Sequence, residues 1–309
     1  MMFCLQKYYF FYSWQNFCSF FSSYFKKKYY LCKRLAIVDG FMLNVSIVLY
    51  RPNWEQVINL TQVLLQSPCV RRIYWIDNSP SSVVNIQLPS QQVEYRHNAQ
   101  NLGYGAAHNI AIRESIYDNI PFHLVINPDI LLDSKDLDCM MDFVRQNPLV
   151  GSLMPKVTYP DGQLQYLCKL LPTPLDVFGR RFLPSSWMAQ RNHRYEMRSS
   201  GYDKIMNVPY LSGCFMLLRT EAVQQARLFD ERFFMYPEDM DLTRRIHRNY
   251  LTVYFPHATI IHDHAKASYK SLRMLWIHIV NMCRYFNKWG WFRDPERKIF
   301  NDTAIQEYL

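Results

Sequence analysis

Short apolar runs alternate with longer amphipathic stretches along the middle of the chain, from about residue 43 to residue 265. Runs rich in β-branched and aromatic side chains predict buried strands, and stretches with helical spacing predict helices. The predicted strands are residues 44–50, 72–77, 92–97, 122–127, 150–158, 208–219 and 252–264. The predicted helices are residues 53–66, 103–117, 133–146, 220–226, 239–249 and 269–289. Strands that alternate with helices favour right-handed crossovers, so we predict an α/β fold with a largely parallel sheet.

The pattern divides the chain into three parts. Residues 42–265 hold the predicted sheet and its helices, and within them residues 160–206 show no regular period and predict a variable loop region that faces the substrate. Residues 1–41 contain 15 of the 49 aromatic residues, which sets this segment apart in composition. We expect it either to lie outside the native domain, with Met42 as the natural start, or to contact a membrane surface. Residues 266–309 form a C-terminal extension.

Charge is distributed unevenly along the chain. The formal net charge is +9: residues 1–41 carry +5, residues 266–298 carry +6 and residues 299–309 carry −2, while residues 42–265 are neutral overall. A nucleic-acid-binding protein usually carries its positive charge on the folded domain, so this class is excluded. The eight cysteines are scattered without a C-x-x-C pair, which argues against zinc and thioredoxin-type sites and predicts reduced thiols in the cytoplasm.

Polar and acidic side chains follow several predicted strands. Asp77 and Asp129 each end a strand, while Glu238 and Asp239 open a helix. Ligands of open α/β sheets bind beyond the carboxyl ends of the strands, and oxygen and imidazole ligands suit Mg²⁺ or Mn²⁺. A divalent cation and a diphosphate are therefore expected at this edge. The dinucleotide-binding fingerprint is absent, because His108 stands where its third glycine belongs, and no P-loop motif or G-x-S-x-G elbow occurs.

The order of short motifs resembles the inverting family-2 glycosyltransferases with the GT-A fold, and within them the bacterial rhamnosyltransferases of cell-surface polysaccharide assembly. The motifs, in chain order, are VSIVLY, WIDNS, NLGYGAAHN, LVINPD, YLSGCFMLLR, YPEDMDLTRR and HDH, and they cover about residues 43–265. This resemblance implies a Rossmann-like, mostly parallel central sheet flanked by helices.

The resemblance also assigns the donor and metal side of the site. It implies that Asp77 contacts the nucleotide base and that Asp129 binds Mg²⁺ or Mn²⁺, with His262 as a second ligand and His264 as the alternative. The usual Asp-x-Asp motif is Asn127-Pro128-Asp129 here, so Asn127 is expected to hydrogen-bond the ribose or the sugar. The remaining expected nucleotide-sugar contacts are Tyr50, Asn101, Gly103, Asn109 and Arg245.

On the acceptor side, the resemblance implies that Asp239 is the catalytic base, with Glu238 as the second candidate. Ser212 and Gly213 belong to the loop that shapes the acceptor site. Arg245 lies on the same helix as Asp239 and is either a diphosphate ligand or a solvated charge.

The predicted helix at residues 269–289 is basic and amphipathic. At 100° per residue, one face carries Lys270, Arg273, Asn281, Arg284 and Lys288, and the opposite face carries Leu272, Leu275, Trp276, Ile279, Cys283 and Phe286. This pattern is typical of a helix that docks on an anionic membrane through residues 266–298, although the apolar face could equally pack on the catalytic domain or on a second subunit.

The sequence therefore predicts a metal-dependent, inverting transferase that moves a sugar, by resemblance L-rhamnose from dTDP-L-rhamnose, to a glycan or lipid-linked acceptor. We expect a peripheral protein at the cytoplasmic face of the cell membrane. Assembly into a homo-oligomer is a further possibility that the sequence does not decide. The alternatives are a transferase of the same fold that uses a UDP-sugar, a sugar-phosphate nucleotidyltransferase, and a degenerate nucleotide-sugar-binding scaffold. The nucleotidyltransferase is disfavoured because residues 50–53 lack the glycine-rich loop expected after its first strand.

Overall fold

A computed structural model describes residues 42–82, 87–263 and 272–309, which form one compact unit. The predicted N-terminal extension at residues 1–41 and the candidate ligand His264 lie outside the described residues. No helix in the described ranges is both long and apolar enough to span a bilayer.

The central sheet of the described chain consists of β1 (Leu43–Leu49), β2 (Val70–Asp77), β3 (Val93–His97), β4 (Phe122–Ile126), β5 (Ile130–Leu131), β6 (Val150–Thr158), β8 (Met206–Asn207), β10 (Phe215–Arg219) and β11 (Leu251–His262). The strand order is β3-β2-β1-β4-β10-β6-β11-β5, with β8 beside β11. Strands β3, β2, β1, β4, β6 and β11 run in one direction, whereas β10 lies antiparallel between β4 and β6. The short strands β5 and β8 are antiparallel to β11. The α/β class is confirmed, and its main strands are parallel except at β10.

Helices cover the sheet, and two further helices form the C-terminal part of the chain. They are α1 (Trp54–Leu64), α2 (Tyr104–Tyr117), α3 (Ser134–Gln146), α4 (Ser185–Tyr195), α5 (Thr220–Gln225), α6 (Glu238–Ile246), α7 (Leu272–Trp289) and α8 (Pro295–Tyr308). Residues 160–206, predicted as loop, contain helical turns at Leu175–Gly179 and Arg180–Phe182, helix α4, and strand β7 (Cys168–Lys169), which pairs with β9 (Tyr210–Leu211). Helix α8 was not predicted, although the sequence carries ordinary start signals for it: Asp294 caps the helix and Pro295 opens it.

A buried polar network fixes α2 on the sheet. Ser46 Oγ on β1 lies 2.6 Å from His108 Nδ1 on α2 and 2.8 Å from His123 Nε2 on β4. The other ring nitrogen of His123 lies 2.7 Å from Ser115 Oγ. Burial lowers the pKa of both histidines, so both are neutral at physiological pH. His108, which breaks the dinucleotide fingerprint, thus anchors the helix that follows the donor-side loop.

Helix α7 packs on the rest of the described chain, and the predicted division of its faces holds only in part: Phe286 is buried and Arg284 is exposed as predicted, but Asn281 and Lys288 face the protein. Its buried residues are Asn281, Met282, Tyr285 and Phe286. Lys288, expected on a solvent- or lipid-facing basic surface, lies 2.7 Å from carboxylate oxygens of both Asp230 and Asp241. In contrast, Trp276, two turns before the buried part, is 67% exposed.

Candidate active site

The donor side of the site is built at the ends of β2 and β3. Asp77 is fully buried: its Oδ1 accepts a hydrogen bond from the Ser79 backbone N–H at 2.8 Å, and its Oδ2 accepts one from the Tyr95 hydroxyl at 2.7 Å. These two donors hold the carboxylate in one orientation at the sheet edge. Next to it, Asn78 Nδ2 donates to the Gly103 carbonyl at 3.1 Å, which ties the end of β2 to the loop before α2.

The loop that contains Asn101 and Gly103 requires its glycine. Gly103 has a φ of +87°, and a Cβ atom built on it would lie 2.3 Å from the Phe234 carbonyl oxygen. Any side chain here would therefore both strain the backbone and clash. The exposed Asn101 accepts the Gly103 N–H at 2.9 Å, and the Tyr104 N–H donates to the same Phe234 carbonyl at 3.0 Å. These contacts join the predicted donor loop to the segment that leads into α6.

Asp129 and His262 meet at the ends of β4 and β11. His262 Nε2 lies 3.5 Å from Asp129 Oδ1, and the Asp263 backbone N–H donates to the Asp129 carbonyl at 3.2 Å. Burial opposes protonation of His262, but Asp129 and Cys214 together raise its pKa to about 10. The structure thus brings together the two residues that the sequence paired as metal ligands, although they are 133 positions apart.

This pair suits a divalent cation. Asp129 Oδ1 is buried and makes no hydrogen bond with the described part of the chain. A carboxylate oxygen and an imidazole nitrogen are ligands that Mn²⁺ accepts, and Mg²⁺ commonly takes one or two carboxylates while substrate phosphates and water complete its shell. No group of three or more His, Cys, Asp or Glu side chains that could hold a metal occurs within the described ranges. A metal held by this pair would take its other ligands from outside the described side chains, such as the diphosphate or water.

Glu238 and Asp239 open helix α6 inside the protein. Asp239 Oδ2 accepts the Gly213 N–H at 2.7 Å, and its Oδ1 accepts the Met240 N–H at 2.7 Å. Burial raises the pKa of Asp239 to about 6, while these N–H groups limit the shift. Glu238 is also buried, its Oε2 has no hydrogen-bond partner in the described structure, and burial beside Asp239 raises its pKa well above the usual range. Burial thus shifts both pKa values upward, Glu238 more strongly than Asp239, and a pKa of about 6 leaves Asp239 mostly ionised at neutral pH.

Tyr104 connects the metal side to the base side and was missed by the sequence analysis. Its hydroxyl oxygen lies 2.9 Å from Asn127 Oδ1 and 2.7 Å from the Gly213 carbonyl. Burial raises its pKa well above the usual range, and the nearby carboxylates of Glu238, Asp239 and Asp129 add to the effect. The single Tyr104 hydroxyl hydrogen is shared between these two acceptors, so Tyr104 holds Asn127 and Gly213 close together, and Gly213 in turn donates its N–H to Asp239. The only sequence signal for Tyr104 is its place within the NLGYGAAHN segment.

Gly213 allows the close approach of this loop to the base. A Cβ atom on Gly213 would lie 2.9 Å from Asp239 Cβ and 3.2 Å from its Oδ2. Ser212, beside it, is half-buried, and its Oγ lies 3.5 Å from the Cys214 nitrogen. The predicted acceptor loop therefore lies directly against the predicted base.

Of the other predicted donor contacts, Tyr50 lies exposed after β1, while Asn109 and Arg245 bond other parts of the chain. Tyr50 is half exposed, with the Arg51 guanidinium 5.6 Å from its ring centre. Asn109 is buried and bonds Phe229 through both its amide oxygen and its nitrogen, at 3.0 and 2.9 Å. Arg245 pairs with Asp241 at 2.7 Å and donates to the Leu228 carbonyl at 2.7 Å. The side chains of Asn109 and Arg245 thus hold the loop after α5.

Comparisons with known proteins agree with this arrangement. The model of a family described as glycosyltransferase-like family 2 matches residues 77–284. The chain is 31% identical over 233 residues to an N-acetylglucosaminyl-diphospho-decaprenol L-rhamnosyltransferase of Mycobacterium tuberculosis, a match that covers 68% of this chain and 72% of the relative. It is 23% identical over 212 residues to the low-salt glycan biosynthesis hexosyltransferase Agl10 of Haloferax volcanii, covering 68% of this chain and 63% of that protein.

Among solved structures, the chain resembles GalNAc-T7 with UDP, GalNAc and Mn²⁺, with a TM-score of 0.51 and 11% sequence identity. That match covers 73% of this chain and 44% of the other, and it supports the GT-A fold alone. The family model spans more than half of the sequence, and the mycobacterial relative shares nearly a third of the aligned residues. The chain belongs to glycosyltransferase family 2 and is a glycosyltransferase.

Proposed function

We propose that this protein is a metal-dependent, inverting rhamnosyltransferase that transfers L-rhamnose from dTDP-L-rhamnose to a lipid-linked sugar. The observation that carries the proposal is the juxtaposition of two sets of residues: Tyr104 contacts both Asn127 and Gly213, Gly213 donates to Asp239, and Asp129 of the Asp129–His262 pair is two residues from Asn127. The choice of sugar and acceptor follows the mycobacterial relative, whose name specifies L-rhamnose and a diphospho-decaprenol-linked N-acetylglucosamine.

On the donor side, Asp77 is the residue proposed to bind the nucleotide base, because its buried carboxylate is held at the sheet edge. Asp129 and His262 would hold Mg²⁺ or Mn²⁺. When bound, the metal would neutralise the negative charge that develops on the leaving diphosphate. Asn127, whose Oδ1 already accepts from Tyr104, keeps its amide N–H groups to donate to a ribose or sugar hydroxyl.

On the acceptor side, Asp239 is the proposed general base. It accepts the proton of an acceptor hydroxyl while that oxygen forms a bond to the anomeric carbon of the donor sugar. The bond between this carbon and the diphosphate oxygen breaks in the same step, the nucleoside diphosphate leaves, and the configuration inverts. A pKa of about 6 suits a base that works near neutral pH, whereas the stronger upward shift of the Glu238 pKa makes Glu238 the less suitable base.

A lipid-linked acceptor would bring the enzyme to the membrane surface. We propose a peripheral location at the cytoplasmic face, supported by the free state of all cysteines in the described part of the chain and by the exposed Trp276 at the start of α7. Sedimentation with anionic liposomes tests this location. A Trp276→Ser variant should bind them more weakly than the wild type, and the absence of wild-type binding would overturn the membrane proposal.

The donor and the metal are tested by release of nucleoside diphosphate from dTDP-L-rhamnose, UDP-glucose, UDP-N-acetylglucosamine and GDP-mannose. We expect hydrolysis to be fastest with dTDP-L-rhamnose in Mn²⁺ or Mg²⁺ and to be abolished by chelator. Asp129→Ala should lose this metal-dependent activity. Asp142→Ala, a matched removal of an exposed carboxylate on α3, should keep it. Preference for a UDP-sugar would refute the rhamnosyl donor, and hydrolysis that is indifferent to chelator would refute the metal.

A further inference from the structure

A cavity of about 200 Å³ lies beside the proposed base, between the segment at residues 169–195 and helix α7. Met240, the residue after Asp239, lines it, and so does Lys169, whose charge acts on the Asp239 carboxylate and lowers its pKa. Tyr236, three positions before Asp239, lines it as well and meets the ring of His278 edge-on, with ring centres 4.9 Å apart. The cavity therefore lies close to Asp239, whose chain neighbours line it.

The wall of this cavity is predominantly basic. Lys169, Arg180 and Arg181 line it, whereas Asp176 is its only acidic lining residue in the described structure. Asp176 is already paired, because Arg191 Nε lies 2.5 Å from its Oδ1, and Arg180 is likewise paired with Glu196 at 2.6 Å, so Lys169 and Arg181 carry the basic character of the wall. Burial lowers the pKa of the Lys169 ammonium, which indicates that this charge is held in a poorly solvated position. Such a position favours an anionic ligand, because partly desolvated cations attract an anion more strongly than solvated ones.

The two segments that line the cavity also carry exposed apolar side chains. Phe182 directly follows Arg181 and is 61% exposed, and Trp187 at the start of α4 is 75% exposed. On the opposite segment, Trp276 follows the lining residue Leu275 and is 67% exposed. Large apolar side chains that are exposed on both segments lining a cavity favour the binding of an apolar partner there. A basic cavity with an apolar surround therefore calls for a ligand with both an anionic group and an apolar chain.

From these features we infer that this cavity is the place where the proposed lipid-linked acceptor binds. Lys169 and Arg181 bind its diphosphate, and its apolar chain leaves past Phe182, Trp187 and Trp276. The sugar lies toward Asp239. This inference rests on the proposed function, since it takes the cavity to be the acceptor side of the same transfer.

Binding of a sugar-free probe tests the inference without knowledge of the acceptor sugar. Farnesyl diphosphate carries the diphosphate and an apolar chain, while farnesol and inorganic pyrophosphate each carry one of the two. Calorimetry in the presence of EDTA keeps a metal-bound diphosphate out of the donor site. We expect wild-type protein to bind farnesyl diphosphate at least about tenfold more tightly than either farnesol or pyrophosphate.

Two variants separate the parts of the site. Arg181→Ala should weaken binding of farnesyl diphosphate by about 10- to 100-fold, because a charge-assisted contact to phosphate is lost. Trp276→Ser should weaken the binding of farnesyl diphosphate but leave the much weaker binding of pyrophosphate unchanged. Arg145→Ala, on an exposed arginine of α3, is the matched control and should bind like the wild type. Thermal melts establish that each variant is folded.

Equal affinity of the wild type for farnesyl diphosphate and farnesol, or an Arg181→Ala variant that binds as tightly as Arg145→Ala, would overturn the inference. Failure of the proposed function is recognised separately, by the absence of metal-dependent donor hydrolysis in the wild type. Loss of hydrolysis with intact probe binding would leave a lipid-diphosphate site without the proposed transfer. Intact hydrolysis without probe binding would leave the transferase with a different acceptor.

Discussion

The buried ion pair between Arg244 and Asp294 joins the catalytic helix α6 to the C-terminal segment. The guanidinium of Arg244 donates to both carboxylate oxygens of Asp294, at 2.8 and 2.6 Å, and its Nε donates to Glu296 at 2.7 Å. The side chains of Arg244 and Asp294 are 1% and 2% exposed. Arg244 also lies 4.0 Å from the centre of the Trp289 ring. We predict that removal of Asp294 destabilises the whole catalytic domain.

The magnitude follows from the burial. Removal of one partner of a buried ion pair leaves an uncompensated charge and costs about 3–5 kcal/mol. Asp294 also accepts the Arg297 N–H as the cap of α8, and loss of such a cap costs about 1 kcal/mol. Asp294→Ala should therefore lower the free energy of unfolding by about 4–6 kcal/mol, reduced by the contact that Glu296 retains. Asp294→Asn keeps a capping oxygen and should cost about 1 kcal/mol less than Asp294→Ala.

Urea denaturation followed by tryptophan fluorescence measures these differences as shifts of the midpoint at a constant slope. Asp142→Ala provides the surface control, with an expected change within about 0.5 kcal/mol. The double variant Arg244→Met with Asp294→Ala should recover much of the lost stability, because it leaves no buried charge unpaired. An Asp294→Ala protein within about 1 kcal/mol of the wild type would refute the reasoning.

Three further predictions concern the site. Gly213→Ala places a methyl group 2.9 Å from Asp239 Cβ, so the transfer rate should fall at least about tenfold in initial-rate assays, and an unchanged rate would contradict the assigned contact. Because burial raises the pKa of Asp239 to about 6, and only the ionised form accepts a proton, kcat/KM should rise with pH up to about 6 and then level off; a flat profile from pH 5 to 7 would speak against this base. Asn109→Ala should cost about 1–3 kcal/mol of stability in urea melts, with less than a threefold change in donor KM, because its amide bonds the Phe229 backbone. A large rise in donor KM at unchanged stability would instead favour the direct donor contact predicted from the sequence.

The sequence predicts the sheet well where a strand carries its own signal. The runs at residues 44–50, 72–77 and 122–127 correspond closely to β1, β2 and β4, because each is a short apolar run covered on both faces. The direction of β10, in contrast, could not be predicted from its own residues. Its residues predict an extended segment, but its antiparallel position between β4 and β6 depends on pairing partners that no local pattern encodes.

The residues of the candidate site could be predicted where reactive polar side chains lie at the ends of strands. Asp129 and His262 meet because the strands that carry them end at the same edge of the sheet. Asn109 and Arg245 were assigned to the donor by motif position, yet their hydrogen-bond partners lie in a loop whose path the sequence does not reveal. Asn109 bonds a residue 120 positions away, and Tyr104 reaches Gly213 over 109 positions.

Helix α7 shows the same limit for packing. Its periodicity predicts an amphipathic helix at almost the observed position, but the predicted basic face includes Asn281 and Lys288, which contact the protein. Lys288 faces inward because Asp230 and Asp241 form a carboxylate pair that needs a cation. Partners of this kind are contributed by distant parts of the chain, so the helical pattern alone cannot identify the buried face.

The central claim is that Asp239 accepts the acceptor proton in a single displacement, and single-turnover transfer tests it most directly. Enzyme in excess of radiolabelled dTDP-L-rhamnose, with Mn²⁺ and a saturating N-acetylglucosaminyl-diphospho-polyprenol, gives the rate of the chemical step. Asp239→Asn should transfer about 10²–10⁴-fold more slowly than the wild type, while Asp142→Ala matches the wild type. Transfer by Asp239→Asn at a near-wild-type rate would contradict the account.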